Sequence, residues 1–434
     1  MRLCTFASLV ILLLAPAAAR AQSSVVDSLE ARGRLGIPRE RARELESELG
    51  QLFVINVDGF GFPEADLALE PDFAPLVEQL QVGGVIPHYG SSSYERIRRT
   101  NRALSALTRL PLLVCCDIVR LSGRKDGRFE SAAFGDGYTG GFIGKFKSLN
   151  DDQFQTLARL NAFVFAALGM NVALGPTVDD STHDPATEAR ARHVVQALTT
   201  FGLQPVLKHF PFLPTTANLH RASPDTRVPP EVAQKRFSIF RDLSGLSPIV
   251  MTTHLDDSLV DGSIVTFSPA WIGILRRDTG YKGLLMSDGL LMLRNYANPP
   301  GPGFPELAGL DATAAWAVRA ILAGHDMIIV EGSAAQTRRA FAGILAEACR
   351  GSEMGNELAA RIEESSQRIT AFKTEHEQLL RRQVDVPMST INGIISLVPK
   401  ENTDLSSFRF SAVALAGLAP ELASATVTPR EKIQ

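Results

Sequence analysis

Residues 206–220 read VLKHFPFLPTTANLH. With Gln204 and Pro205 in front, the stretch begins as an apolar run that ends on Lys208, His209 and Phe210. It then leaves through a Pro- and Thr-rich segment that closes on His220. Apolar residues on consecutive positions do not suit a strand with one wet face. They suit a strand buried on both faces, as in a parallel sheet covered by helices.

The same pattern recurs along the chain. Runs at 51–57 (QLFVINV), 83–89 (GGVIPHY), 110–117 (LPLLVCCD), 171–178 (NVALGPTV), 204–210 (QPVLKHF), 248–254 (PIVMTTH), 283–288 (GLLMSD) and 326–332 (DMIIVEG) are nearly continuous in Val, Ile and Leu. Between them lie segments of helical period. Residues 151–168 repeat apolar side chains every three to four positions, 268–280 starts on a Ser cap and stops on Gly, and 306–324 is Ala-rich and stops on Gly.

Alternating strands and helices in this number predict an α/β fold, a (β/α)8 TIM barrel. The span 51–350 is a little longer than the ~250 residues usual for that fold, and a Gly-rich stretch at 118–150 is expected as a long loop after the third strand. A doubly wound open sheet is the alternative, but no G-x-G-x-x-G follows a strand.

The flanks read differently. Arg2, the apolar run 8–15 and the small residues Ala19 and Ala21 have the order of a secretory signal over 1–21, so the mature protein is expected to be exported, periplasmic or secreted. That apolar run is too short to span a bilayer, and no stable membrane span is expected after cleavage. Residues 22–50 read as a helical lead-in, 51–375 as the barrel with a long charged helix at 355–382, and 376–434 as a tail that packs on the barrel or stays partly disordered. With 45% hydrophobic and 21% charged residues and a net charge of −3, the chain gives no electrostatic case for nucleic acid. The four cysteines show no C-x-x-C or Cys/His spacing, so no metal and no cofactor is expected.

In such a barrel the reacting groups sit at the C-terminal strand ends. The polar residues there are Asp58, His88, Asp117, Asp179, Lys208, His209, His254 and Asp288, a ring of acids and bases suited to a polar substrate. Read alone, Asp288 would serve as the cap of the helical turn that follows it.

Several of these stretches, in this order, resemble glycoside hydrolase family 3. VLKHFPF resembles its Lys-His-Phe-Pro-Gly segment, GYKGLLMSDGLLM (280–292) its nucleophile segment, and PLLVCCD (111–117) its strand that ends in a substrate-binding Asp. The stretches at 83–104, 167–180 and 247–283 fit the neighbouring strands and helices. The resemblance runs over about 48–372 and is greatest to the single-domain β-N-acetylhexosaminidase branch.

It implies a retaining, two-step hydrolysis of β-linked N-acetylhexosamine in peptidoglycan or chitin-type fragments. Asp288 stands as nucleophile and His220 as the loop acid/base. Asp117, Lys208 and His209 are implied in substrate binding and His254 in substrate binding or in structural support of the site, with Asp179 and Asn218 supporting them. The implied partner is an amino-sugar glycan, met by a monomer.

The chain departs from the family at its sugar site. Asn218 stands where the family has the Asp that holds the His, Leu219 replaces a Ser and Phe212 replaces the signature Gly. DIVRLSG (117–123) lacks the family's Glu and Gly pair, and the Arg-Ser-Phe-Gly segment has no counterpart near Arg190 and Arg192. Asp225 is a carboxylate within reach in sequence. These departures define the alternative, a degenerate barrel that binds a glycan or a protein without hydrolysis.

Overall fold

Eight short parallel strands close on themselves in a computed structural model of the chain. The structure describes residues 24–56, 73–87, 93–117, 121–123, 129–131, 146, 148–178, 185–212, 230–255, 259–296, 299–397 and 409–426. The barrel strands are β1 (Phe53–Asn56), β2 (Gly84–Ile86), β3 (Leu113–Asp117), β6 (Val172–Leu174), β7 (Gln204–Phe210), β8 (Ile249–Thr252), β9 (Leu284–Gly289) and β10 (Met327–Glu331). Each pairs in parallel with its neighbours in chain order, and β1 pairs with β10 to close the ring. Closure rules out the open sheet and leaves no exposed edge in the barrel.

The apolar runs form strands because both faces are covered. Every residue of β7, β8 and β10 is buried, one side filling the barrel and the other meeting the helices. Phe210 shows the outer packing. Its ring meets Phe240 edge-on at 5.5 Å and Trp271 at 6.0 Å, and all three are buried. The expected helices occupy Asp151–Ala167, Pro269–Asp278 and Ala312–Ala323. Asn150 and Gln153 form a capping box at the first, and Ser268 caps the second ahead of Pro269. The third ends on Gly324 at φ +119°, a conformation that needs no Cβ.

Three local expectations are corrected. The lead-in is two helices, Val25–Ala31 and Arg39–Leu52, because Gly33 turns at φ +63° and Pro38 stands directly before the second. The stretch taken as a loop after β3 carries an antiparallel pair, β4 (Leu121–Gly123) with β5 (Phe129–Ser131). The long charged helix ends at Glu375, with a short turn of helix at Glu377–Leu380 beyond it.

The described part of the tail packs on the barrel layer. Helix Met388–Leu397 buries Ile391 and Ile394 and lies against helix Asp151–Ala167. A last helix, Ala412–Ser424, follows, and Arg382 donates to the Ala425 carbonyl at 2.7 Å. None of the described helices is long and apolar enough to cross a membrane. The signal expected at 1–21 lies outside the described residues.

Candidate active site

The C-terminal rim of the barrel gathers charge. Asp117 ends β3, Lys208 and His209 lie near the end of β7, Asp288 is the penultimate residue of β9, and Glu331 ends β10. On a regular strand, adjacent side chains such as Lys208 and His209 would face opposite ways. Here the pairing of β7 with β8 slips between Leu207 and Phe210, and the Lys208–His209 peptide is cis. Both side chains reach rim carboxylates.

Lys208 Nζ pairs with Asp117 Oδ1. The lysine is buried, so its charge needs that partner, whereas the Asp117 side chain is 37% exposed and keeps a face open to solvent. His209 Nε2 lies 3.8 Å from Asp288 Oδ2. The rim thus holds two carboxylates that both keep some exposure, Asp117 more than Asp288, each flanked by one of two successive bases from the same strand.

Asp288 is fixed in angle by the chain that follows it. Its Oδ1 accepts the Gly289 N–H at 2.8 Å. Ser287, fully buried beneath it, donates to the Asp288 carbonyl and accepts the Ile329 N–H at 3.0 Å, which ties β9 to β10. Expected as a substrate contact, His254 instead sits under this turn, 1% exposed. Its Nε2 meets the Gly289 carbonyl at 2.8 Å and its Nδ1 the Thr266 hydroxyl at 2.7 Å. A carbonyl only accepts, so the proton is on Nε2 and both ring nitrogens are engaged with protein. The geometry gives His254 the place of a support for the Asp288 turn.

Sequence reading passed over Glu331. It ends the eighth apolar run as Asp288 nearly ends the seventh, so the rule that selected the other rim residues would have found it. Its Oε2 accepts the Leu291 N–H at 2.8 Å. A Cβ on Gly289 would fall 2.6 Å from its Oε1, so the carboxyl packs directly on the residue after Asp288. Burial first, then the neighbouring Asp288 charge, push the Glu331 carboxyl up to about 8, against the opposing pull of the Leu291 N–H and Arg294.

The two arginines near the missing sugar-binding segment have other contacts. Arg190 is buried, donates to the carbonyls of Phe146 and Leu149 and lies over the Phe154 ring, while Arg192 pairs with Glu188 at 2.8 Å. His220, Asn218, Asp179, Asp58, His88 and Asp225 lie outside the described residues. Among the described residues no cluster of three or more His, Cys, Asp or Glu side chains gathers as a metal site, and Cys115, Cys116 and Cys349 are free thiols.

Solved structures of the same architecture share this fold. The chain is similar to a β-N-acetylhexosaminidase from Beutenbergia cavernae, at 21% identity and a TM-score of 0.59, over 76% of this chain and 98% of that one. It is similar to a family 3 β-N-acetylglucosaminidase from a Paenibacillus species, at 20% identity and a TM-score of 0.57, over 88% and 68%. It is also similar to a fungal multi-domain family 3 β-N-acetylglucosaminidase, at 19% identity and a TM-score of 0.62, over 84% of this chain but only 45% of that one. No protein of curated function matches the chain. The family model of the glycosyl hydrolase family 3 N-terminal domain matches residues 44–372, from the helix before β1 to the long helix after β10. On that match, the chain belongs to glycosyl hydrolase family 3, a family of glycosidases.

Proposed function

We propose that the protein is an exported retaining glycosidase that cleaves β-linked N-acetylhexosamine from peptidoglycan or chitin-type fragments. One observation carries the reading. The Asp288 carboxylate stands at a barrel strand end with its side chain 16% exposed, held in angle by Gly289 N–H and flanked by His209 at 3.8 Å. A nucleophilic carboxylate needs those three conditions: exposure on one side, a fixed direction and a polar neighbour. The amino-sugar specificity is supported by the similar structures, two of them β-N-acetylglucosaminidases and one a β-N-acetylhexosaminidase.

In the proposed reaction an Asp288 oxygen attacks the anomeric carbon. The bond to the leaving oxygen breaks as His220 gives that oxygen a proton, and a glycosyl ester on Asp288 results. Water then attacks the same carbon, His220 takes its proton, and the sugar leaves with the configuration retained. Lys208 and Asp117 offer a donor and an acceptor to the sugar hydroxyls from β7 and β3. Asn218 can orient the His220 ring but adds no negative charge to stabilise the imidazolium, so the proposed enzyme is slow.

Asn218 also favours a second reading, a family 3 barrel that still binds glycans but no longer hydrolyses them. Incubating the purified mature chain with aryl β-N-acetylglucosaminide and aryl β-glucoside separates the two. Release of the aryl group from the first substrate, lost in Asp288→Ala, supports the hydrolase. Glycan binding with no release from either would replace it by the binding module.

A further inference from the structure

Glu331 has no part in the reaction as written, yet the residue is buried and its carboxyl packs against the turn that carries Asp288. The turn is held from three directions. Asp288 Oδ1 accepts the Gly289 N–H, His254 donates to the Gly289 carbonyl, and Glu331 Oε2 accepts the Leu291 N–H. The absence of a side chain at Gly289 brings the Glu331 carboxyl this close, since an added Cβ would meet its Oε1 at 2.6 Å. Among the described residues, the charged groups that face Glu331 are Asp288 from β9 and Arg294 from the 3-10 turn Leu290–Asn295. His209 faces Asp288 from the other side.

We propose that Glu331 is a positioning residue that supports Asp288 in its protonated form and silences it when ionised. Neutral, it braces the turn and sets no second negative charge against Asp288. Ionised, it sets a second negative charge beside the first, and repulsion between the two carboxylates moves Asp288 out of line. Burial and the Asp288 charge, which hold Glu331 up near 8, place this change just above neutral pH. The proposal rests on the reading of Asp288 as nucleophile.

The test is kcat/KM against pH on aryl β-N-acetylglucosaminide for wild type, Glu331→Gln, Arg294→Gln and Asp288→Asn. A glutamine keeps an acceptor for the Leu291 N–H and cannot ionise. Wild type is expected to lose about fivefold between pH 8 and 9 from this one group. Glu331→Gln should keep activity near neutral pH and lack this roughly fivefold share of the fall, keeping only the alkaline loss that deprotonation of His220 causes in both proteins. Arg294→Gln, a change at an exposed site, removes the opposing cation and should move the wild-type fall to higher pH. An unchanged alkaline fall in Glu331→Gln overturns the proposal. Should that variant fail to fold, an unmoved fall in Arg294→Gln overturns it instead. Asp288→Asn with wild-type turnover would overturn the nucleophile reading itself, a result distinct from either of these.

Discussion

Replacing Lys373 by methionine should change how stability depends on pH. Lys373 lies on helix Glu353–Glu375 and is fully buried at the N-terminal end of the barrel. Its Nζ donates to Gln51 Oε1 at 2.9 Å and to the Gly83 carbonyl at 2.8 Å, both neutral groups. Burial drives its pKa down to about 7, and Arg381 adds repulsion. Cys115 acts the other way, but burial pushes that thiol far up, so it stays neutral and supplies no counter-charge.

The unfolded lysine titrates near 10.5, so between about 7 and 10.5 the unfolded chain binds more protons than the native one. Stability therefore rises with pH across that window. The cost of charging Lys373 is complete below about 7 and gone above 10.5. The gap corresponds to roughly 4–5 kcal/mol over the full window. Urea unfolding at several pH values from 6.5 to 10 measures it. Wild type should gain several kcal/mol on Lys373→Met as pH rises, whatever the offset between the two at neutral pH. Parallel stability curves would refute the burial argument.

Two further substitutions test the site and its scaffold. Gly289→Ala forces a Cβ into the space of Glu331 Oε1, at 2.6 Å, and should lower kcat/KM ~10- to 100-fold by moving the Asp288 turn, with the far-ultraviolet circular dichroism unchanged. Wild-type turnover would show that the packing there is loose. Phe210→Ala empties a buried aromatic cluster and should cost about 3–5 kcal/mol, read as a lower urea midpoint. A loss under 1 kcal/mol would mean the cluster closes over the gap.

Much of this architecture was legible in the chain. A strand covered on both faces must be apolar at consecutive positions, so β7 and β10 stand out in the sequence within a residue or so of their observed ends. Breaks were harder to see. Gly33 and Pro38 split the lead-in, but both also occur in single helices, and only the turn at φ +63° decides between them. The β4–β5 pair is three residues a side and too short for a periodic signal.

At the site, Asp117, Lys208, His209 and Asp288 were found because polar residues closing an apolar strand announce themselves. Glu331 obeys the same rule but sits outside the family motifs, which drew attention elsewhere. The position of His254 could not be read from its strand. Its contacts are Thr266, in a 3-10 turn beyond β8, and Gly289, on the next strand. Contacts between elements leave no local pattern.

The most direct test of Asp288 as nucleophile is a mass measurement. The purified protein is incubated with a 5-fluoro aryl N-acetylglucosaminide, whose slow hydrolysis lets a glycosyl-enzyme accumulate, and is then digested and sequenced by mass spectrometry. One added sugar on the peptide containing Asp288, absent in Asp288→Asn, is the predicted result. Turnover of the aryl glycoside with the sugar on another residue, or with no ester at all, would contradict it.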